Sequence, residues 1–389
     1  HRPQRIFIPQ RRSPMTRHLP SSVLLLFALV LTLAAAPARA QAEDPVASDR
    51  TTYEKIGRFD AGQLKREQAT IRVKGNIFVD ETGKTFVFRG VSIADPDKLS
   101  KENKWNRRLF EEVKRWGANT IRLPIHPRAW RERGQAQYLA LIDQAVIWAN
   151  ELDIYLIIDW HSIGYLASGN YQHPMYVTDR QETLRFWHDI AYRYQGIPTT
   201  AVYELFNEPT TLKDQWGDTE WTEWKALNEQ MIDVIYAMDD EVIPLVAGFN
   251  WAYDLTPIKT SPIDRPGIAY ASHPYPQKAQ PEPVSKDNFF ALWEEKWGFA
   301  SKTYPMICTE LGWVQPDGYG AHIPVMNDGS YGPQIVEFME SRGVSWTAWV
   351  FDPRWAPTMI NDWDFTPSEQ GAFFRQVMQA KANREPADH

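Results

Sequence analysis

Short apolar runs alternate with helix-period segments along most of this chain. The eight apolar runs are rich in Val, Ile and Leu, as are strands that a parallel sheet buries on both faces. They span Phe86–Ile93, Thr120–Ile125, Ile154–Asp159, Ala201–Phe206, Val242–Ala247, Ile268–Ser272, Pro305–Thr309 and Val344–Val350. Between them, apolar residues recur every three or four positions, most clearly in Leu109–Trp116, Tyr138–Leu152 and Trp221–Met238. Eight such β/α alternations predict an α/β fold, a single (β/α)8 TIM barrel.

Three segments are predicted along the sequence. Residues 1–40 hold upstream residues and a signal peptide that is removed, residues 41–69 form a polar lead-in, and residues 70–380 form the barrel. Thr70–Val73 and Asn76–Val79 predict a short N-terminal β-hairpin that precedes the barrel. A doubly wound open sheet is the alternative fold, but no glycine-rich phosphate turn opens its first helix.

The first segment has the pattern of a secretory signal peptide. Basic Arg17 follows Met15, an apolar run extends from Val23 to Ala36, and Ala38-Arg39-Ala40 resembles a cleavage site. This run is too short to cross roughly 30 Å of hydrocarbon comfortably, which argues against a membrane anchor. We therefore expect cleavage after Ala40 and a secreted protein, extracellular or periplasmic, that has no membrane association after cleavage.

Composition narrows the classes of function. The single cysteine excludes an intrachain disulfide and a cysteine-based zinc site, and the net charge of −7 argues against nucleic-acid binding. The chain of 389 residues also contains 17 Trp, 16 Tyr and 18 Phe, and burial of all of them in the core is one explanation. So many aromatic residues also favour stacking surfaces for a flat ligand.

Polar and aromatic side chains lie near or just after the carboxyl ends of six of the predicted strands, at the end of a barrel where function is located. They are Arg122, Asp159-Trp160-His161, Asn207-Glu208-Pro209, His273-Pro274-Tyr275, Glu310, and Trp346 with Trp349. Glu208 and Glu310 follow strands four and seven, on opposite sides of an eight-strand ring. A glycosidic bond between them could be protonated from one side and attacked from the other. Retaining glycosidases use such a pair, roughly 5–5.5 Å apart.

The sequence around these residues resembles the motifs of a known family. Leu205-Phe206-Asn207-Glu208-Pro209 resembles the Asn-Glu-Pro signature of glycoside hydrolase family 5, the cellulase family in the clan of retaining (β/α)8 glycosidases. The likeness covers roughly residues 75–375. The further matching pieces, in order, are Gly90-Val91, Asn119 to Pro124, Asp159 to His161, His273 to Tyr275, Thr309-Glu310 and Trp346 to Trp349.

The resemblance implies a role for each matching residue. Glu208 is implied as the general acid/base and Glu310 as the nucleophile, while Asn207 would bind the 2-hydroxyl of the sugar under attack. Arg122 and Tyr275 would hold Glu310 ionised and aimed. The other substrate-binding residues that the resemblance implies are the hydrogen-bond donors His161 and His273 and the stacking platform Trp349.

The sequence thus predicts a secreted retaining endo-β-1,4-glucanase that hydrolyses cellulose-like or mixed-linkage β-glucan by double displacement. We expect no cofactor, no metal, no nucleic-acid partner and a monomer, with a β-glucan polysaccharide or oligosaccharide as substrate. The same residues would also serve a mannanase, a xyloglucanase or a β-1,3-glucanase. Outside this enzyme class, the alternatives are a sugar-binding barrel without catalysis and a metal-dependent barrel hydrolase.

Overall fold

The chain folds as alternating strands and helices. The computed structural model describes residues 56–210 and 220–383. The strands within them are β1 Arg72–Lys74, β2 Ile77–Val79, β3 Thr85–Phe86, β4 Arg89–Ser92, β5 Thr120–Ile125, β6 Tyr155–Trp160, β7 Ile163–Tyr165, β8 Asn170–Tyr171, β9 Val202–Glu204, β10 Glu208–Pro209, β11 Ile243–Ala247, β12 Ala269–Ser272, β13 Met306–Cys308 and β14 Ser345–Ala348.

Nine helices of six or more residues lie in the same described ranges. They are α1 Pro96–Lys101, α2 Arg107–Arg115, α3 Pro127–Arg133, α4 Gln135–Glu151, α5 Arg180–Arg193, α6 Trp221–Tyr236, α7 Lys286–Lys296, α8 Tyr331–Glu340 and α9 Glu369–Ala382. The predicted helices Leu109–Trp116, Tyr138–Leu152 and Trp221–Met238 overlap α2, α4 and α6.

Eight strands close into a barrel. Its strand order is β4, β5, β6, β9, β11, β12, β13 and β14, and β14 pairs with β4 to complete the ring. Every neighbouring pair is parallel, as short β/α/β crossovers require. Each barrel strand overlaps one of the eight predicted apolar runs. The predicted (β/α)8 barrel is therefore confirmed.

The prediction was wrong at the first run, Phe86–Ile93, which contains two elements instead of one strand. Thr85–Phe86 pairs antiparallel with β2, and only Arg89–Ser92 enters the barrel. The predicted hairpin is consequently a three-stranded sheet, β1-β2-β3. The apolar pattern continues across both elements because Phe88, which lies between the two sheets, is also fully buried. The sequence therefore resembles that of a single strand.

The barrel interior changes character along its axis. Its lower part is apolar, where Ile157, Val202 and Ile307 pack against Phe88 and against Phe78 of the three-stranded sheet. Successive side chains of a strand alternate between its two faces, so that one face continues at every second residue. The inward face of β6 therefore runs from Ile157 to Asp159, and that of β9 from Val202 to Glu204. The inward face of each of these strands is thus apolar in its lower part and charged at its carboxyl end.

The remaining segment predictions concern the amino-terminal part. The predicted signal peptide, residues 1–40, and residues 41–55 of the lead-in lie outside the described residues. The rest of the lead-in packs on the barrel, since Asn150 of α4 accepts hydrogen bonds from the backbone of Lys65 and Arg66. Within residues 56–210 and 220–383, no helix is both long and apolar enough to cross a membrane.

Close contact between β4 and β5 explains one glycine of the sequence motif. A Cβ atom on Gly90 would lie 1.8 Å from the carbonyl oxygen of Thr120, so the two strands could not keep their register. We expect Gly90→Ala to lower the free energy of unfolding by about 3 kcal/mol, as overpacking a rigid core does. Gly83→Ala is the control, because it has open space and loses only the left-handed preference, about 1 kcal/mol. Chemical denaturation measures both, and equal losses would contradict the argument.

Candidate active site

A buried guanidinium organises the carboxyl end of the barrel. Arg122 of β5 is fully buried, and its Nε and Nη2 donate to the two carboxylate oxygens of Glu204 at 2.6 and 3.1 Å. Nη1 donates to Glu310 at 2.8 Å. Nη2 also lies 2.9 Å from Asp159 Oδ2 and 2.6 Å from Asn207 Oδ1. One side chain thereby fixes groups that three different strands supply, namely β6, β9 and β13.

Arg122 and Glu204 each favour the charged form of the other. Burial alone would lower the pKa of Arg122, but Asp159, Glu204 and Glu310 raise it well above its ordinary value. Burial alone would raise the pKa of Glu204, but Arg122 and a hydrogen bond with His273 lower it to about 2. Arg122 and Glu204 are therefore charged at any pH at which an enzyme works.

Glu310 follows β13 and is held at both oxygens. Arg122 donates to Oε1, and the Tyr275 hydroxyl donates to Oε2 at 2.9 Å. Burial raises the pKa of Glu310, while His273 and Arg122 act in the opposite direction. Two donors on two different oxygens fix the plane of the carboxylate, which leaves its direction little freedom.

Glu208 shares a proton with His273. His273 Nδ1 lies 2.8 Å from Glu208 Oε1, and Nε2 lies 2.9 Å from the hydroxyl of Thr309. That hydroxyl donates its single proton to ionised Glu204 at 2.7 Å, so His273 Nε2 must carry a proton of its own. Nδ1 then either donates to ionised Glu208 or accepts from protonated Glu208, and one proton is present in this hydrogen bond in both states.

The charge of His273 follows from its surroundings. Burial lowers its pKa, but the charge of Glu310 and the hydrogen bonds with Glu204 and Glu208 raise the pKa to about 9. His273 thus balances part of the negative charge that the carboxylates bring to the site.

The two carboxylates of interest lie close together. A carboxylate oxygen of Glu208, one of Glu310 and a ring nitrogen of His273 all lie within 4.8 Å of one another. Inverting glycosidases need roughly 6.5–9.5 Å between their carboxyl groups, to admit a water molecule, whereas retaining enzymes use about 5–5.5 Å. The separation here matches direct attack by one carboxylate on the sugar.

The same three side chains form the cluster, among the described residues, that could surround a metal ion. Protein groups already engage these atoms, since His273 Nδ1 bonds to Glu208 and both oxygens of Glu310 accept hydrogen bonds. The donor set therefore suits proton transfer, and the expected lack of a metal stays a prediction.

An aromatic wall also lines the site, formed by residues that follow β14 and β6. The Trp349 indole stacks on the His161 ring with centroids 5.5 Å apart and planes 1° from parallel. His161 Nδ1 bonds to Asp159 at 2.6 Å, and burial lowers the pKa of His161 well below its ordinary value. Beside this wall, Asn207 Nδ2 is buried and has no partner among the described residues. It is therefore a donor available to a ligand hydroxyl.

Six of these groups border one cavity of about 540 Å³, namely His161, Asn207, Glu208, Tyr275, Glu310 and Trp349. Loops after six barrel strands line it: after β6 His161 and Gln172, after β9 Asn207 and Glu208, after β11 Asn250 and Trp251, after β12 Tyr275 and Lys278, after β13 Glu310 and Ile323, and after β14 Trp349 and Ala356. A cavity with an aromatic wall and a few convergent polar groups is the usual form of a small-ligand site.

Comparison with known proteins identifies the family. Residues 79–354 match the family model described as Cellulase (glycosyl hydrolase family 5). The chain belongs to glycosyl hydrolase family 5. The resemblance that the sequence motifs suggested is thereby confirmed, and this family 5 chain is a glycoside hydrolase.

Relatives support the same assignment. An endoglucanase from Paenibacillus polymyxa is 24% identical over 351 residues, which are 78% of this chain and 85% of that protein. Endoglucanase A from Butyrivibrio fibrisolvens is 26% identical over 238 residues, and the match spans half of that protein. The crystal structure of a β-glucanase from Saccharophagus degradans in complex with cellotetraose is 65% identical, with a TM-score of 0.83 over 84% of this chain and 97% of that one.

The structure brings all the site residues predicted for this family 5 chain to one end of the barrel. They are Arg122, His161, Asn207, Glu208, His273, Tyr275, Glu310 and Trp349. Asp159, Thr309 and Lys278 also lie at this end of the barrel, and no sequence motif predicted a role for them. Asp159 could have been found from strand alternation, because it lies two residues before His161 and shares its face of β6.

Removal of the Glu204 charge should cost stability in a pH-dependent way. Its folded-state pKa of about 2 is below the ordinary 4.5, so its contribution is present above pH 4.5 and is lost as pH falls towards 2. We expect Glu204→Gln to lower the free energy of unfolding by about 3 kcal/mol at pH 7, and by less at pH 3, because Arg122 loses its buried partner. Denaturant titration at the two pH values measures the difference.

Glu337→Gln is the matched control. Its carboxylate pairs with Lys286 on the surface, where an ion pair is worth roughly 0–1 kcal/mol. A pH-independent loss in Glu204→Gln, or an equal loss in the control, would contradict the charge assignment.

Proposed function

We propose that this glycoside hydrolase is a retaining endo-β-1,4-glucanase that acts on cellulose-like or mixed-linkage β-glucan by double displacement. The single observation that carries the proposal is the separation of Glu208 and Glu310, whose nearest oxygens lie within 4.8 Å. Support for the substrate class comes from relatives named endoglucanases and from the β-glucanase structure in complex with cellotetraose.

In the first step, Glu310 attacks the anomeric carbon of the sugar while Glu208 protonates the departing glycosidic oxygen. A covalent glycosyl-enzyme forms, and the C–O bond to the leaving sugar breaks. Arg122 and Tyr275 aim the attacking carboxylate through their hydrogen bonds to its two oxygens. Asn207 donates its free amide proton to the 2-hydroxyl, a contact of the kind that strengthens in the transition state as the sugar ring changes shape.

In the second step, Glu208 removes a proton from water, and the water oxygen attacks the anomeric carbon with net retention of configuration. Esterification of Glu310 has removed one negative charge close to Glu208, and this loss favours the ionised form that a base requires. The proton shared with His273 gives Glu208 a partner in both states, as a donor to His273 or as an acceptor from it. One carboxyl group thereby serves as acid and then as base.

We also propose that the mature protein acts outside the cytoplasm, in the periplasm or the medium. This rests on the basic start, the apolar run Val23–Ala36 and the Ala38-Arg39-Ala40 site of the sequence. Mass spectrometry of the exported protein should find an amino terminus at Gln41.

Hydrolysis of a polysaccharide panel tests the substrate. We expect residues 41–389 to release reducing ends from carboxymethylcellulose and mixed-linkage β-glucan, with a rapid fall in viscosity, because internal cleavage shortens chains early. Xyloglucan, laminarin and mannan should be cleaved slowly or not at all. Cleavage of only these three would keep the catalytic pair but refute the β-1,4-glucan assignment.

Azide rescue tests the two catalytic roles separately. We expect Glu208→Ala and Glu310→Ala to lower kcat on mixed-linkage β-glucan by at least about a thousandfold. With an aryl β-cellobioside, azide should restore turnover in both variants. Glu310→Ala should give the α-azide by direct displacement, and Glu208→Ala the β-azide by attack on the glycosyl-enzyme. Glu132→Ala, an exposed carboxylate paired with Arg128, is the control and should retain full activity. The same azide anomer from both variants would refute the assignment of distinct roles.

A further inference from the structure

A threonine hydroxyl connects the Glu208–His273 pair to the buried carboxylate of Glu204. Thr309 lies directly after β13, two residues beyond Ile307, and so continues the inward face of that strand. Its Oγ1 lies 2.7 Å from Glu204 Oε1 and 2.9 Å from His273 Nε2. The Thr309 carbonyl oxygen accepts a hydrogen bond of 2.7 Å from a hydroxyl of β14. Two neighbouring strands thereby fix the position of the Thr309 hydroxyl.

This hydroxyl is the link between Glu204 and His273. Without it, Glu204 Oε1 lies 3.5 Å from His273 Nε2, which is beyond the usual range of a hydrogen bond. Glu204, His273 and Thr309 are all fully buried, so bulk solvent offers no other partner. The hydroxyl has one proton, and ionised Glu204 accepts it. The lone pair that faces the ring therefore requires a proton on His273 Nε2.

The proton on Nε2 restricts the other side of the ring. With one further proton in the Glu208–His273 hydrogen bond, the pair is satisfied in either arrangement. Without that proton, Nδ1 would present a lone pair to a carboxylate oxygen of Glu208 at 2.8 Å, so that two acceptors would face each other. A neutral histidine could avoid this by carrying its proton on Nδ1 instead. The Thr309 hydroxyl opposes that change, and loss of the shared proton is therefore costly.

We propose that Thr309 is a positioning residue that holds His273 in the Nε2-protonated form and thereby keeps a proton on the Glu208–His273 pair at alkaline pH. Thr309 is fully buried and does not border the cavity, so it acts through His273. The inference rests on the proposed function, because the first step transfers the proton of Glu208 to the leaving oxygen.

Other charged and titratable groups also face the pair, from every element packed around it. They are Arg122 of β5, Asp159 and His161 at the end of β6, Tyr176 after β8, Glu204 of β9, Tyr275 and Lys278 after β12, and Glu310 after β13. Burial lowers the pKa of His273, and the carboxylates around it raise the pKa to about 9. A substitution at Thr309 keeps all of these groups, so a change in pH dependence reports on the hydroxyl.

Thr309→Val removes the hydroxyl and keeps the shape of the side chain. The measurement is kcat/KM for cellotetraose as a function of pH. We expect the pH of half-maximal activity on the alkaline side to fall by about one unit, because His273 can then donate from Nδ1 to ionised Glu208. Thr309→Ser keeps the hydroxyl and should stay within about 0.3 unit of the native profile.

A second substrate separates this role from a purely structural one. The phenol of 2,4-dinitrophenyl β-cellobioside leaves without a proton, so its departure does not need the acid form of Glu208. We expect Thr309→Val to lower kcat/KM for this substrate by less than about threefold at any pH. Thr200→Val is the matched control, because Thr200 is a buried threonine before β9 whose hydroxyl donates to Ile197 O at 3.0 Å. It should change neither profile.

Heteronuclear NMR of the ring nitrogens observes the protonated position of His273 directly. The spectra are recorded above about pH 9, where His273 is neutral. We expect the native protein to show the pattern of an Nε2–H ring and Thr309→Val to show an increased share of Nδ1–H. Comparison with His273→Gln identifies the signals.

An unchanged alkaline limb in Thr309→Val would overturn the inference, since the Glu204 charge would then act on the ring without the hydroxyl. Equal losses on both substrates, or a Thr309→Ser profile equal to that of Thr309→Val, would do the same. A native protein that hydrolyses neither substrate would instead refute the proposed function, and the ring NMR would still decide the role of Thr309. The two failures are thus distinguishable.

Discussion

The Arg122 guanidinium is the interaction on which the rest of the site depends. It lies where the apolar interior of the barrel ends, and it contacts Asp159, Glu204, Asn207 and Glu310 at once. A buried carboxylate is costly unless a positive charge and hydrogen bonds compensate. Without this cation, the carboxyl groups at the mouth of the barrel would either take up protons or move apart. The spacing of Glu208 and Glu310 follows from how Arg122 arranges their neighbours.

The same strands serve both packing and chemistry, because successive side chains alternate between the two faces of each strand. On β6 and β9, the inward face carries Ile157 and Val202 below, followed by Asp159 and Glu204 above. The fold therefore needs no separate framework for its active groups. Packing of Ile157 and Val202 makes the barrel rigid. The rigid strands in turn fix the positions of Asp159 and Glu204. The close contact of Gly90 with Thr120 belongs to the same framework, because it keeps β4 in register with the β5 strand that carries Arg122.

Much of this arrangement was predictable from sequence because each element has a local signal. The eight apolar runs indicate the barrel, and residues after parallel strands must meet at one rim, so Glu208 and Glu310 could be paired without coordinates. What could not be predicted depends on contacts between distant segments. Phe88 is buried at a crossing that periodicity does not reveal, and the role of Thr309 follows only from its distances to His273 and Glu204.

The apolar floor of the barrel has a consequence for the chemistry above it. Phe78, Phe88 and their neighbours close the amino-terminal end, so the buried charges communicate with solvent through the substrate cleft. A glucan chain bound in the cleft would lie across this route and slow the exchange of protons with bulk water. The protons present when the chain binds would then be the ones available to the first step. Solution pH thus sets the fraction of enzyme molecules that hold the required proton when the chain binds. Within that first step, the proton between Glu208 and His273 is the one available for the leaving oxygen.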